Sequence, residues 1–298
     1  MARLVFFGNE RLATGVSTTA PTLTALIEAG HDVCAVVSNY ERGTSRSARE
    51  LEIEAVAKKH GIPVLLPAKP SEILDELQAY GAEAAVLVAY GRIVPQSVID
   101  VFPKGIINIH PSLLPLHRGP TPIESVILNG ETKTGVSIMS LQKEMDAGPV
   151  YGQSEVGLTG QETKQELADH LLEIGGKMVV ALLPGILDGS VVAKPQDDVA
   201  ATYDKLIEKT QGVMDWHKPA AQLEREIRAY AIWPKSSTTL AALDVIITDA
   251  HVSKDKDGPL AMQTAKDFLV TDKLKPAGKN EMTAADFIRG YGKDLAGL

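Results

Sequence analysis

Asn108, His110 and Asp146 are the residues in this 298-residue sequence whose types and spacing point most directly to chemistry. Asn108 and His110 lie in the run Gly105-Ile-Ile-Asn-Ile-His110, where apolar and polar residues alternate as in a strand. A period of two puts both polar side chains on one face, roughly 6–7 Å apart along the chain. Pro111 and Pro115 then stop any ladder, so the chain leaves the sheet directly after the histidine. In α/β proteins, ligands sit beyond the carboxyl ends of strands, and a polar strand end followed by a stiff loop fits that place. The alternative is a strand end whose polar groups only satisfy backbone. Asp146 lies between two strand-like runs, ahead of the turn Gly148-Pro149. There it is either an ordinary Asx-turn residue or a carboxylate held by a rigid connection. None of the three is a strong nucleophile, so together they favour acid–base and oxyanion chemistry over a covalent intermediate.

The elements that would position them alternate between strand and helix through the first two thirds of the chain. Strands are expected at Leu4–Phe7, Val33–Ser38, Val64–Leu66 and Ala84–Ala89, the last so continuously apolar that it should be covered on both faces. Helices are expected at Thr22–Ala29, from Ser47 to His60, and from Ser71, a possible N-cap, to Tyr80. Such alternation means βαβ crossovers and a mainly parallel sheet. Pro122–Leu128 reads as a helix, Gly135–Ser140 and Val150–Val156 as an antiparallel addition at one end, and Thr163–Leu187 as a long helical region. Periodicity gives way to polar residues and a proline at Lys194–Thr202. Beyond it come a helix over Pro219–Tyr230 and short strands such as Leu243–Thr248, His251–Val252 and Phe268–Val270, the pattern of a small barrel.

Composition removes several classes of function. The chain is 44% hydrophobic and 23% charged, ordinary for a globular protein. No run of about 18 apolar residues is apparent, and residues 1–7 read as a first strand and not as a signal peptide, so a cytoplasmic protein without membrane association is expected. Cys34 is the one cysteine, which excludes disulfides and thiolate metal sites, and its apolar surroundings make it a buried, inert thiol. The first βα turn, Gly8 to Gly15, has neither G-x-G-x-x-G spacing nor a Lys-Ser/Thr after glycine, which argues against NAD and ATP. No histidine pair has helical metal spacing, and no metal is expected. His31 and His60 flank glycines at helix ends and read as surface residues. The net charge of −8 argues against a general nucleic-acid binder, yet from Tyr203 onward 14 basic residues balance 14 acidic ones. The loop Asn39–Arg49 carries Arg42, Arg46 and Arg49, either as a basic loop reaching for phosphates or as a solvated lead into a charged helix.

Asn108-Ile-His110, Ser112-Leu-Leu-Pro115, Arg118-Gly119 and Asp146, 38 residues beyond Asn108, resemble the signature of the 10-formyltetrahydrofolate-dependent formyltransferases. Leu26-Ile-Glu-Ala-Gly-His-Asp-Val33, Val88-Ala-Tyr-Gly-Arg-Ile-Val-Pro95, Thr202-Tyr-Asp-Lys-Leu206, Asp215-Trp216, Leu223–Ala229, Trp233-Pro234 and Pro276–Phe287 are similar to the branch of that family acting on methionyl-tRNA, so the resemblance covers nearly the whole chain. It implies a Rossmann-like catalytic domain over residues 1–193, a linker over 194–202 and an OB-like barrel over 203–298 that helps hold tRNA. It implies Asn108, His110 and Asp146 as the catalytic trio, with Ser112, Leu113, Leu114, Pro115, Val88, Tyr90, Gly91 and Arg92 at the folate. Arg42, Arg46 and Arg49 would lie near the tRNA acceptor stem. The implied reaction is transfer of formyl from 10-formyltetrahydrofolate to the α-amine of methionyl initiator tRNA by a monomer; a nucleotide-linked amino sugar is the alternative acceptor, and an inactive binding protein the alternative class. The first turn, Pro111 and Leu116 depart from the family pattern.

Overall fold

The computed structural model describes residues 1–12, 15–39 and 51–292. A seven-stranded sheet is built from β1 (Arg3–Gly8), β2 (Asp32–Val37), β3 (Val64–Leu65), β4 (Ala84–Val88), β5 (Ile106–His110), β6 (Lys133–Ser140) and β7 (Val150–Gly157). Its order is β3-β2-β1-β4-β5-β6-β7. The first five strands pair in parallel, whereas β6 and β7 are antiparallel additions at one end, as their turn-bounded sequences predict. The crossovers carry α1 (Pro21–Glu28), α2 (Glu52–Lys59), α3 (Leu74–Tyr80) and α4 (Gln96–Ile99), and α5 (Pro122–Asn129) leads into β6. Gly30 and Gly61 have φ of 79° and 68°, the left-handed conformation that closes α1 and α2 without a Cβ penalty.

Three local expectations are revised. The helix placed from Ser71 begins as a 3-10 turn, Pro70–Ile73, with Lys69 and not Ser71 before it. Cys34 is half-buried; its Sγ lies 3.1 Å from the Leu4 carbonyl, and burial pushes its thiol pKa up, as suits an inert thiol. The long helix α6 (Lys164–Asp188) is long and apolar enough to cross a bilayer by length and composition, contrary to the expectation that no such run exists. Its Leu167, Ala168, Leu171, Leu172, Val179, Leu183 and Ile186 are buried within the protein.

The C-terminal domain is barrel-like and antiparallel. After α7 (Ala220–Ala229) come β8 (Ser237–Leu240), β9 (Leu243–Ser253), β10 (Ala261–Gln263), β11 (Phe268–Pro276), β12 (Met282–Thr283) and α8 (Ala284–Tyr291). The strand order is β10-β11-β9-β8, with β12 pairing β11. One small core joins Leu223 and Ile227 of α7 to Ile247 and Leu269; a second joins Leu240, Val245 and Leu274 to Phe287 of α8.

The chain divides into two compact units, one of residues 1–122, 133–157 and 167–206, the other of 123–132, 158–166 and 207–298.

Candidate active site

β5 changes character along its length. Ile106, Asn108 and His110 share one face, on which Ile106 joins the apolar core of Val5, Phe7, Leu87 and Tyr90. The face turns polar only at its carboxyl end, where Asn108 stands in register with Leu87 and Met139. On the opposite face, a Cβ added to Gly175 of α6 would lie 2.5 Å from Ile109, so the helix approaches the strand this closely because residue 175 lacks one. Asn108 and His110 are each only 5% exposed.

The imidazole of His110 is oriented by backbone. Its Nε2 lies 2.9 Å from the carbonyl oxygen of His117, and its Nδ1 lies 3.8 Å from Oδ1 of Asp146. A carbonyl only accepts, so Nε2 carries the proton of that bond, and Nδ1 is the nitrogen left to exchange one with Asp146 or a ligand. The sequence brings Asn108 and His110 together by period, but only the fold brings Asp146 to them.

Asp146 has a φ of 50°, a left-handed conformation that aspartate tolerates better than most side chains. Its Oδ2 accepts the backbone N–H of Gly119 at 2.8 Å, leaving Oδ1 toward His110. Gly119 has a φ of 117°, and a Cβ there would come 2.4 Å from the Asp204 carbonyl oxygen. Only glycine places this N–H at the carboxylate. The carbonyls of Asp146 and Gly148 both accept from Nε2 of Gln196 at 2.7 Å. Oε1 of Gln196 accepts from Nε and Nη2 of Arg118 at 3.1 and 2.9 Å. Arg118, 1% exposed, also donates to Asp198 at 2.6 Å and to the Tyr203 hydroxyl at 2.7 Å. His117, with a φ of 57°, donates its backbone N–H to Thr202 and places its ring 3.1 Å from Asp204.

Residues 194–202, expected as a linker, therefore brace the site. Lys194 forms a two-way backbone pair with Val150 at 2.8 Å in each direction. His117, Gln196, Tyr203 and Asp204 escaped prediction as supports because their partners lie far off in sequence; the Leu-His-Arg and Thr-Tyr-Asp runs were visible, but not what they touch.

The residues expected at the folate divide by what their side chains do. The hydroxyl of Ser112 donates to the Leu116 carbonyl at 2.7 Å, and its own carbonyl accepts from Ser137 at 2.6 Å. The N–H of Leu114 donates to Ser137 at 3.0 Å, and its carbonyl accepts from Gln153 at 2.7 Å. Leu113 is so close to Gly135 that a Cβ there would lie 2.5 Å from it, and the Leu114-Pro115 peptide is cis. Ser112, Leu113 and Leu114 thus hold the shape of the loop. Val88 ends β4 beside Gly8, where an added Cβ would come 1.8 Å from the Val88 carbonyl oxygen. Gly91 follows with a φ of 72°. Arg92 donates to the carbonyls of Pro67 and Ala68. Tyr90 sets its ring edge-on to Phe7 at 5.5 Å; burial pushes its hydroxyl pKa up, and that buried hydroxyl has no hydrogen-bond partner among the described residues. Arg42, Arg46 and Arg49 lie outside the described residues. Among the described residues, no group of three or more His, Cys, Asp and Glu side chains is placed to hold a metal ion.

In the first βα turn, Glu10 is fully buried, and its carboxylate accepts the N–H groups of Thr22 and Leu23 at 3.1 and 3.0 Å, capping α1. Desolvation raises its pKa to about 7 against those two bonds.

The formyl transferase family profile matches residues 4–183, and the profile of the formyl transferase C-terminal domain matches 206–292. The chain is 35% identical over 305 residues to the methionyl-tRNA formyltransferase of Chloroflexus aggregans, covering 97% of each. It is 36% identical over 304 residues to the enzyme of that name from Methylococcus capsulatus, again covering 97% of each. Among solved structures, HypX from Aquifex aeolicus in complex with tetrahydrofolic acid superposes with a TM-score of 0.68 at 17% identity, over 100% of this chain and 48% of HypX. The chain therefore spans about half the length of HypX. An N-formyltransferase from Helicobacter canadensis, in complex with folinic acid and dTDP-3-aminofucose, gives 0.67 at 16% identity, covering 91% of this chain and 99% of that one. These two structural likenesses show the fold.

Proposed function

This chain belongs to the formyl transferase family, and from that premise we propose that it moves the formyl group of 10-formyltetrahydrofolate to the α-amine of methionyl initiator tRNA at the start of translation. The observation that carries the reading is the approach of Nδ1 of His110 to Oδ1 of Asp146 at the carboxyl end of β5, with Asn108 two residues earlier on the same strand, in a chain that matches methionyl-tRNA formyltransferases along nearly its whole length.

In the proposed reaction the neutral amine attacks the formyl carbon and produces a tetrahedral oxyanion. The Asn108 amide and the Nδ1–H of protonated His110 donate to that oxygen, because Nε2 of His110 is already committed to the His117 carbonyl. Donors of this kind contribute roughly 3–4 kcal/mol each where they have been removed singly. Asp146 receives the amine proton, and as the bond from carbon to N10 breaks that same proton passes on to N10 of the departing tetrahydrofolate, which returns Asp146 to its carboxylate form. The loop from Ser112 to Pro115, with Val88, Tyr90, Gly91 and Arg92, lines the folate side. Arg42, Arg46 and Arg49 approach the acceptor stem, and the C-terminal unit assists in holding the tRNA.

Purified protein incubated with 10-formyltetrahydrofolate is offered methionyl-tRNA, a nucleotide-linked amino sugar or glycinamide ribonucleotide. Formylation of methionyl-tRNA is expected. Formylation of the sugar alone would overturn the choice of acceptor, and no transfer to any of the three would overturn the enzymatic reading.

A further inference from the structure

Gln196 is placed to do more than join two segments. Its carboxamide makes four hydrogen bonds, two accepted from Arg118 and two donated to the Asp146 and Gly148 carbonyls. Two N–H donors and two carbonyl lone pairs are all that the group offers, so each is used. The Arg118 guanidinium has no acceptor, which fixes the amide oxygen toward Arg118 and the NH2 toward the turn. Arg118 is itself immobilised by Asp198, by Tyr203, and by backbone bonds from its N–H to Thr202 and from the Asp204 N–H to its carbonyl. Next in the chain stands Gly119, whose N–H holds Oδ2 of Asp146. The carboxylate of Asp146 and the carbonyls of its own turn are thus tied to adjoining residues of one rigid segment. Gly148 adds a third constraint, since a Cβ there would lie 1.9 Å from the Ser140 carbonyl oxygen.

We propose that Gln196 is a positioning residue for the transfer reaction. It holds the Asp146 turn in its left-handed conformation through the two carbonyls, so that Oδ1 stays in reach of Nδ1 of His110. The role rests on the reading of Asp146 as the group that receives the amine proton. A displacement of about 1 Å at such a group can cost a hundredfold in rate without any change in binding.

Two substitutions separate this role from bulk support. Gln196→Glu keeps acceptors for Arg118 but turns an oxygen on two carbonyl oxygens, whereas Gln196→Met keeps the length and removes all four bonds. Both are expected to lower kcat by about 10- to 100-fold, with KM for 10-formyltetrahydrofolate and for methionyl-tRNA within about threefold of wild type. An activity-independent readout is the Gly119 amide proton in TROSY spectra, which reports its bond to Oδ2. In both variants it should move from the wild-type shift toward that of Asp146→Ala. A wild-type Gly119 shift with kcat within about twofold would overturn the proposal, as would a loss of rate that tracks only a loss of folded protein in thermal melts. Wild-type protein that fails to formylate methionyl-tRNA would refute the acceptor instead, and the Gly119 shift would then decide the positioning role alone.

Discussion

Asn108 has no titratable group, so its proposed part in the reaction is confined to its amide dipole and its position near the end of β5. Asn108→Ala is expected to cut kcat at least about a hundredfold while tetrahydrofolate binding persists. Turnover near wild type, measured with saturating folate and tRNA, would sink the oxyanion role. Glu10 is the opposite kind of residue, a buried carboxyl whose charge matters for stability. Burial raises its pKa in the folded protein to about 7, above the 4.5 of an unperturbed glutamate. Between those values the folded state holds the proton that the unfolded state has released, so stability falls as pH rises and levels off above about pH 7. The difference between the two values sets a ceiling of about 3 kcal/mol on that loss. Glu10→Gln should therefore gain on wild type as pH goes from 5 to 8; a pH-independent difference in urea denaturation would refute the assignment. Asn108, His110 and Asp146 stand out in the sequence as candidates because residue type, period and turn chemistry concern each one's neighbours in the chain, while their grouping as a trio comes from the family resemblance. Gln196 does not stand out, since its bond to Arg118 spans 78 residues and a glutamine among polar residues carries no local mark.

At the level of elements, apolar continuity was the reliable signal. Ala84–Val88 is buried at every position and pairs with strands on both sides, as an unbroken apolar run requires. The antiparallel pair β6 and β7 was equally plain from its turns. Among the very short strands, two-residue β3 was marked by its place in the strand–helix alternation, whereas β10 and β12, with three and two residues and no such setting, were too short for a period to register. Helix α8 went unpredicted although Thr283 caps it by accepting the Asp286 N–H at 3.2 Å. That helix closes the second C-terminal core with Phe287, which is fully buried and lies 4.9 Å from the Tyr291 ring. Phe287→Ala should destabilise the protein by about 3–5 kcal/mol. Chemical denaturation reads this directly, and a loss below about 1 kcal/mol would mean that the helix contributes little to this core.

As a whole, an acidic chain of net charge −8 is proposed to engage a polyanion. Attraction must then be local, and Arg42, Arg46 and Arg49 are its proposed source. Raising salt from 50 to 200 mM should increase KM for methionyl-tRNA severalfold and leave KM for folate nearly unchanged. Replacing the three arginines by alanine should flatten that dependence, and an unaltered slope would remove the loop from the interface. The two compact units bear on heredity as well. The C-terminal unit includes residues 123–132 and 158–166, which come from the middle of the chain. Within it Arg225 donates to the Leu128 carbonyl at 2.9 Å, Arg228 donates to that of Glu162 at 2.8 Å, and the fully buried Lys164 lies 3.1 Å from Glu124. A single recombination point near residue 207 would deliver a foreign tail to native versions of those segments and leave α7 facing carbonyls it did not evolve with. Chimeras that exchange all three segments should fold where tail-only grafts fail, so natural shuffling favours passing this architecture on in one piece.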